Sequence, residues 1–353
     1  MSPARPVRPL PILVLAALAL MVGACRSVVP VPAPDAEEGA STAPLRQRLV
    51  VVVHGDAGYL YHTPDGTPHR ADAETLREAF AAARAMPRAE VFVVHQRPHA
   101  PLLGLIPRDD GTLYHFRRGR LVRRTTYDQR RARPFAAEAA LLREHRAPVP
   151  DSALFTAALY YGHAVPERAR PGYHRSRPEV PFGVEGLARG LGRLRPAGPL
   201  DAVVLSTCDG GTPPSIAALA PHARSVLAAP ADLHLSFVDA DLLSTVAGTT
   251  DPQAWTRRLA DRAFGRLTGR VTTAVTLATY DLDRAAPTAR RWARRVRPDT
   301  STAPTGARHV DCRRALDRPI DTAGVRVWDR PARFGPAAGR PPHSGWGCVP
   351  PSP

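Results

Sequence analysis

The sequence predicts a three-layer α/β sandwich with a mostly parallel central sheet. Continuous β-branched runs such as Leu49–Val53 read as strands buried on both faces. Those runs alternate with amphipathic stretches of helical period, the pattern of a sheet covered on both sides. The separation of two successive strand ends leaves room for the crossover helix that parallel strands require.

The chain has 353 residues, 48 basic and 32 acidic, with a formal charge of +16. Every basic residue is Arg, Lys and Asn are absent, and Ile occurs four times. Lys, Asn and Ile use A/T-rich codons, so the Arg excess reads first as the mark of a G/C-rich genome. That discounts charge as evidence for a nucleic-acid partner. A hydrophobic content of 44% excludes wholesale disorder.

Residues 1–24 read as a secretory signal: Arg5 and Arg8 without an acid, then an apolar run from Leu10 to Met21, too short for a stable spanning helix. Val22-Gly23-Ala24-Cys25 resembles a bacterial lipobox, which makes Cys25 the expected lipid-attachment residue. The expected location is the bacterial envelope, lipid-anchored, with Arg26 and Ser27 favouring the outer membrane or cell surface. An export signal also removes nucleic acid as a partner, leaving the membrane and a peptide or protein substrate. Residues 25–46, rich in Pro and Ala, form a tether.

Residues 47–297 hold the predicted domain. Leu49–Val53 is a strand, Asp72–Met86 a helix with Leu76, Phe80 and Ala83 on one stripe, and Val91–Val94 a second strand. Thr112–Phe116 and Arg120–Thr126 flank Gly119 as a hairpin. Phe135–Arg146 is helical and Leu154–Tyr161 ends as a strand. Val184–Leu194 is helical, and Ala202–Ser206 and Val226–Ala229 are strands. Asp251-Pro252 caps and opens a helix to about Leu267. Val271–Leu277 is a strand and Ala289–Val296 a short basic helix. Residues 298–353 read as an irregular basic region holding Cys312 and Cys348, which are available to pair. From Arg284 onward 14 Arg face five acids. The predicted side of Ala289–Val296 that carries Arg290, Arg291, Arg294 and Arg295 is taken as a solvated face.

Two strand ends carry chemistry: Tyr160-Tyr161-Gly162-His163 and Ser206-Thr207-Cys208-Asp209-Gly210-Gly211. His163 and Cys208 lie 45 positions apart, so one crossover helix brings both to the same sheet edge, where open α/β sheets place function. A thiol becomes a strong nucleophile beside a base or a thiolate-stabilising imidazole. Gly210 and Gly211 permit a sharp turn that aims N–H groups at a developing oxyanion. Four cysteines include no CxxC, and no HExxH exists, so neither a metal nor another cofactor is expected.

Thr207-Cys208-Asp209-Gly210, with His163 upstream, resembles the caspase-like cysteine peptidases, and most of all the clostripain-like peptidases of bacteria. The resemblance runs from about Leu49 to Val296. It implies a caspase-like fold and a cysteine endopeptidase working through an acyl-enzyme thioester. His163 is then the general base, Cys208 the nucleophile, and the amides of Cys208 and Ala164 the oxyanion hole. Two positions depart from the pattern: Gly162 precedes the His while Ala164 follows it, and Ser206 stands where an Asp contributes to basic-residue specificity. Asp232 and Asp239 are the substitute pocket candidates for a basic side chain. Arg168–Arg177, between the two catalytic candidates, reads as a solvated loop, with a processing loop as the rival.

Two other classes stay open. His54-Gly55-Asp56-Ala57-Gly58 resembles the oxyanion segment of α/β-hydrolases, with Cys208 in the elbow and His222, His234 or His309 as the downstream base. The third class is a non-catalytic surface lipoprotein that retains the fold.

Overall fold

The computed structural model describes residues 43–62, 65–98, 110–128, 134–233, 238–295, 309–316, 319–335 and 338–349. The signal segment, Cys25 and His234 lie outside the described residues. No helix among the described residues is long and apolar enough to cross a membrane.

Among the described residues, nine strands form the central sheet. In chain order they are β1 (Gln47–His54), β4 (Ala89–Gln96), β5 (Gly111–Arg117), β6 (Arg120–Tyr127), β7 (Phe155–Tyr161), β8 (Leu200–Ser206), β9 (Ala223–Ala228), β10 (Val275–Asp281) and β12 (Val325–Arg330). The small pair β2 (Leu60–His62) and β3 (Pro68–Arg70) stands apart, as does β11 (Val310–Asp311) with β13 (Gly347–Cys348). The sheet order is β12-β10-β9-β8-β7-β1-β4-β5-β6. The middle five, β9-β8-β7-β1-β4, are parallel, and antiparallel strands extend both edges.

Every residue of β1 is buried, as a strand covered on both faces requires. Leu49, Val51 and Val53 pack with α1 (Ala71–Arg84) and α5 (Pro252–Arg270) on one face. Val50 and Val52 pack on the other with α2 (Ala136–His145), α3 (Val184–Arg193) and α6 (Leu282–Ala293). The short α4 (Pro213–Leu219) follows the Cys208 turn and joins this second layer. Each fully buried Val contributes roughly 1.5–3 kcal/mol. Asp251 caps α5, its Oδ1 accepting from Ala254 N–H at 2.6 Å. The β5–β6 hairpin turns through Arg118 and Gly119, both at positive φ, which explains a Gly there.

Three expectations are corrected. The strand placed at Val271–Leu277 runs Val275–Asp281, because α5 continues to Arg270. The helix placed at Ala289–Val296 begins at Leu282, with Asp281 as its cap and Pro287 inside it; that Pro reads in the sequence as a break. The C-terminal region is not wholly irregular. Val325-Arg326-Val327-Trp328-Asp329-Arg330 forms β12, an edge strand paired along β10, and its alternation was hidden among Pro and Gly. A disulfide joins Cys312, at the start of α7 (Cys312–Leu316), to Cys348 in β13.

Candidate functional site

Strands β1, β7 and β8 are parallel, so their carboxyl ends share one edge. Tyr161 of β7 pairs with Ser206 of β8. His163 and Cys208 each stand two residues beyond that pair. The crossover through α3 therefore delivers both candidates to the same edge of the sheet, where each side chain bonds to other groups.

His163 is held from three sides by groups from the loop after β1 and from residue 173. Its Nε2 lies 3.1 Å from Gly58 O. A carbonyl only accepts, so Nε2 carries the proton and Nδ1 of the neutral ring carries the lone pair. The ring stacks on Tyr59, centroids 4.5 Å apart. Its backbone N–H donates to Tyr59 Oη at 3.1 Å, and its carbonyl accepts from Tyr173 Oη–H at 3.2 Å. Burial lowers the His163 pKa, only partly opposed by the Gly58 hydrogen bond.

Behind this sits a buried relay of rings. His54 Nδ1 is 3.1 Å from Tyr59 Oη and its Nε2 is 3.2 Å from His174 Nδ1. Burial, then the neighbouring His174, depresses the His54 pKa far below the usual imidazole value. With all rings neutral, one consistent assignment has Tyr59 donating to His54 and His54 donating to His174. The Arg168–Arg177 segment is thus more than a solvated loop. Tyr173 bonds Tyr160 Oη at 2.9 Å, and the Arg175 and Ser176 N–H groups donate to Asp56 at 2.9 and 3.0 Å. Those buried partners pin the segment against the site.

Cys208 is the free cysteine among the described residues. Its Sγ–H donates to Leu233 O and its Sγ accepts from Leu233 N–H, both at 3.3 Å. Burial pushes the thiol up to about 12, with the negative charges of Asp209 and Asp232 adding to it against the Leu233 hydrogen bond. The resting pair is accordingly a neutral thiol and a neutral imidazole. After Cys208, Asp209 takes a positive φ of 54°. Gly211 lies so close to Tyr280 that a Cβ there would sit 2.3 Å from its hydroxyl. The turn is built around that small residue.

The exposed Ala164 and the Cys208 N–H make no hydrogen bond among the described residues. Asp232 is exposed and acts electrostatically on the thiol. Asp239 is placed differently: it is buried, and its Oδ2 is 2.8 Å from both Arg266 and Arg270. Ser206 is fully buried, bracing Val238 through its hydroxyl at 3.2 and 3.1 Å. The carboxylates of Glu78, Asp239 and Asp241 converge within 4.8 Å. Arg266 reaches Asp241 at 2.6 Å, so guanidinium groups already supply the positive charge there.

The α/β-hydrolase reading loses its parts. The His54–Gly58 segment supports His163 instead of a separate oxyanion hole. His222 immediately precedes β9, beside Leu200 at the opposite edge of the sheet. His309 does lie at the Cys208 turn, but between two carboxylates that hold it protonated, which leaves no lone pair for a base. Tyr59 is the site residue that sequence reasoning missed. Gly58 and His309 were singled out there, but only for the rival reading and in other roles.

No family model matches the chain, and no curated protein matches it in sequence. Solved structures match in fold. A secreted C11 cysteine protease from Bacteroides thetaiotaomicron, in complex with an irreversible peptide inhibitor, aligns with a TM-score of 0.50 at 10% identity. The match covers 67% of this chain and 66% of that one, slightly under two thirds of its length. A structure of the secreted C11 cysteine protease iotapain from the same organism aligns at a TM-score of 0.48 and 10% identity, covering 68% of each chain. An inactive zymogen C11 protease from Parabacteroides distasonis aligns at 0.45 and 12%, covering 72% of this chain and 64% of that one. The chain shares the caspase-like α/β fold of the C11, clostripain-like cysteine proteases.

Proposed function

We propose that the chain is a cysteine endopeptidase in which Cys208 and His163 act as a dyad. The observation that carries this reading is their shared position, two residues beyond the paired Tyr161 and Ser206 at the carboxyl edge of neighbouring parallel strands. The Gly58 contact supports it by leaving Nδ1 of His163 as the free base.

In this mechanism the Cys208 Sγ proton passes to His163 Nδ1 as the thiol leaves Leu233. The thiolate attacks the scissile carbonyl carbon, and the Ala164 and Cys208 N–H groups receive the oxyanion. The imidazolium gives its proton to the leaving amine as the C–N bond breaks, leaving a thioester. Water, deprotonated by His163, then cleaves the thioester and restores the thiol. No metal or cofactor takes part. Asp232, exposed beside the thiol, is the residue that favours a basic side chain in the substrate. The enzyme works from the bacterial envelope, tethered by acyl chains on Cys25.

The test is hydrolysis of a mixed peptide library by the full chain beside Cys208→Ala and His163→Ala. Both variants are expected to lose activity. Full activity in His163→Ala would sink the dyad. One observation favours a second reading, a non-catalytic lipoprotein: the thiol is engaged on both sides by Leu233 and held up near 12. A peptide carrying a thiol-reactive group separates the two. Labelling that disappears in Cys208→Ala marks an enzyme, and no labelling of the wild type marks the lipoprotein.

A further inference from the structure

The C-terminal segment brings to the Cys208 turn a buried titratable group that the dyad does not use. His309 precedes Cys312 by three positions, and Cys312 is tied by its disulfide to Cys348. The same segment braces the turn from below. Gly347 N–H donates to Gly211 O at 3.1 Å, and the hydroxyl of Tyr280, packed on Trp346, donates to Gly345 O with Gly211 O 3.2 Å away.

The His309 side chain is 6% exposed. Its Nδ1 lies 3.2 Å from Asp209 Oδ1, and its Nε2 lies 3.7 Å from Glu167 Oε1. Those carboxylates come from different loops. Asp209 directly follows Cys208, and Glu167 stands four residues beyond His163. One buried cation therefore joins the loop after the thiol to the loop after the imidazole. Both acids are nearly buried, and an uncompensated buried carboxylate is strongly destabilising. Burial alone would lower the His309 pKa, but the carboxylates of Asp209 and Glu167 beside it outweigh that and push the group up to about 10.

We propose that His309 is a positioning residue for Cys208: as a cation it pins the Asp209 and Glu167 loops together and offsets part of the Asp209 charge beside the thiol. The groups facing His309 are Asp209 and Glu167. Those facing the Cys208 thiol are the Leu233 backbone and the carboxylates of Asp209 and Asp232. Removal of the imidazolium leaves Asp209 unopposed, and a nearby like charge disfavours the thiolate. The consequence for peptide cleavage rests on the dyad reading above. The consequence for thiol reactivity does not.

The experiment measures alkylation of Cys208 by iodoacetamide in the full chain from pH 7 to 9, read on the Cys208 peptide by mass spectrometry. His309→Gln is expected to slow the reaction by about tenfold, the effect of roughly one unit in the thiol pKa. Adding Asp209→Asn to it removes the unopposed charge and returns the rate to near the wild-type value. His309→Arg restores a cation and is likewise expected near wild type. An unchanged rate in His309→Gln, or a double variant as slow as the single, overturns the proposal. Unfolding has the opposite signature, since an exposed thiol with an ordinary pKa reacts faster. If His309→Gln reacts faster, the Arg variant decides: a rate near wild type upholds the proposal and an equally fast one overturns it. A wild type that cleaves no peptide counts against the peptidase reading alone, because alkylation requires no catalysis.

Discussion

The Tyr59 ring lies parallel to the His163 imidazole, centroids 4.5 Å apart with 7° between their planes, while its hydroxyl accepts the His163 backbone N–H at 3.1 Å. One side chain thus sets both the plane of the ring and the path of the backbone that carries it. With Gly58 O fixing Nε2, the direction of Nδ1 is determined by the loop after β1.

Tyr59→Phe keeps the stack and removes the hydroxyl. It is expected to lower kcat for peptide hydrolysis by about fivefold, the worth of one hydrogen bond of roughly 1 kcal/mol. Tyr59→Ala removes a buried ring and is expected to cost about 3–5 kcal/mol of stability. Peptide hydrolysis and urea unfolding of both variants check this. A Phe variant with wild-type kcat would show that the hydroxyl does not position His163.

Neutral partners predict a particular reactivity for Cys208. With the thiol held near 12 by burial and neighbouring carboxylates, and His163 lowered by burial, the free protein holds very little thiolate at neutral pH. Alkylation is expected to accelerate about tenfold per pH unit from pH 7 to 9 with no plateau. A fast, flat profile around pH 7 would instead reveal a preformed thiolate–imidazolium pair.

How much of this was legible in the sequence follows from the range of each signal. The strands β1, β4, β7 and β8 are continuous apolar runs, so local pattern sufficed, and the strand ends with His163 and Cys208 followed from them. Strand β12 was missed because Val325, Val327 and Trp328 sit between Gly- and Pro-rich stretches that suppress any longer period. Tyr59 touches His163 across 104 positions, and the Gly58 contact spans 105. No spacing rule reaches that far. Asp239 looked like a pocket residue because its partners, Arg266 and Arg270, come from a helix whose face is decided by packing.

The Glu78 carboxyl gives a stability test away from the thiol. Burial and the charge of Asp239 push it up to about 7 from an ordinary 4.5. The folded state then binds the proton more tightly than the unfolded chain, so stability falls as pH rises from 4.5 through 7. The loss is on the order of 2–3 kcal/mol. Glu78→Gln retains an acceptor for the Ala240 N–H, now 3.0 Å from Glu78. It is expected to stabilise the protein by about that amount at pH 8 and hardly at all at pH 4. Urea midpoints at the two pH values check this, and equal gains at both would refute it.

The disulfide between Cys312 and Cys348 closes a separation of 36 residues. A crosslink of that span restricts the unfolded chain by about 2–4 kcal/mol. Both sulfurs are fully buried, so the bond works from within a packed segment that also carries His309 and the edge strand β12. Cys312→Ala with Cys348→Ala is expected to lose about that stability, and the loss should be local. Among the described residues strand β12 pairs only with β10, at the rim of the sheet, whereas β1 lies between β7 and β4 near its centre. Hydrogen exchange is therefore expected to rise at Val325–Arg330 while Leu49–Val53 stays protected. An equal rise in both strands would show that the C-terminal segment and the sheet centre open as one unit, and that the disulfide stabilises the whole domain rather than the brace beneath Gly211.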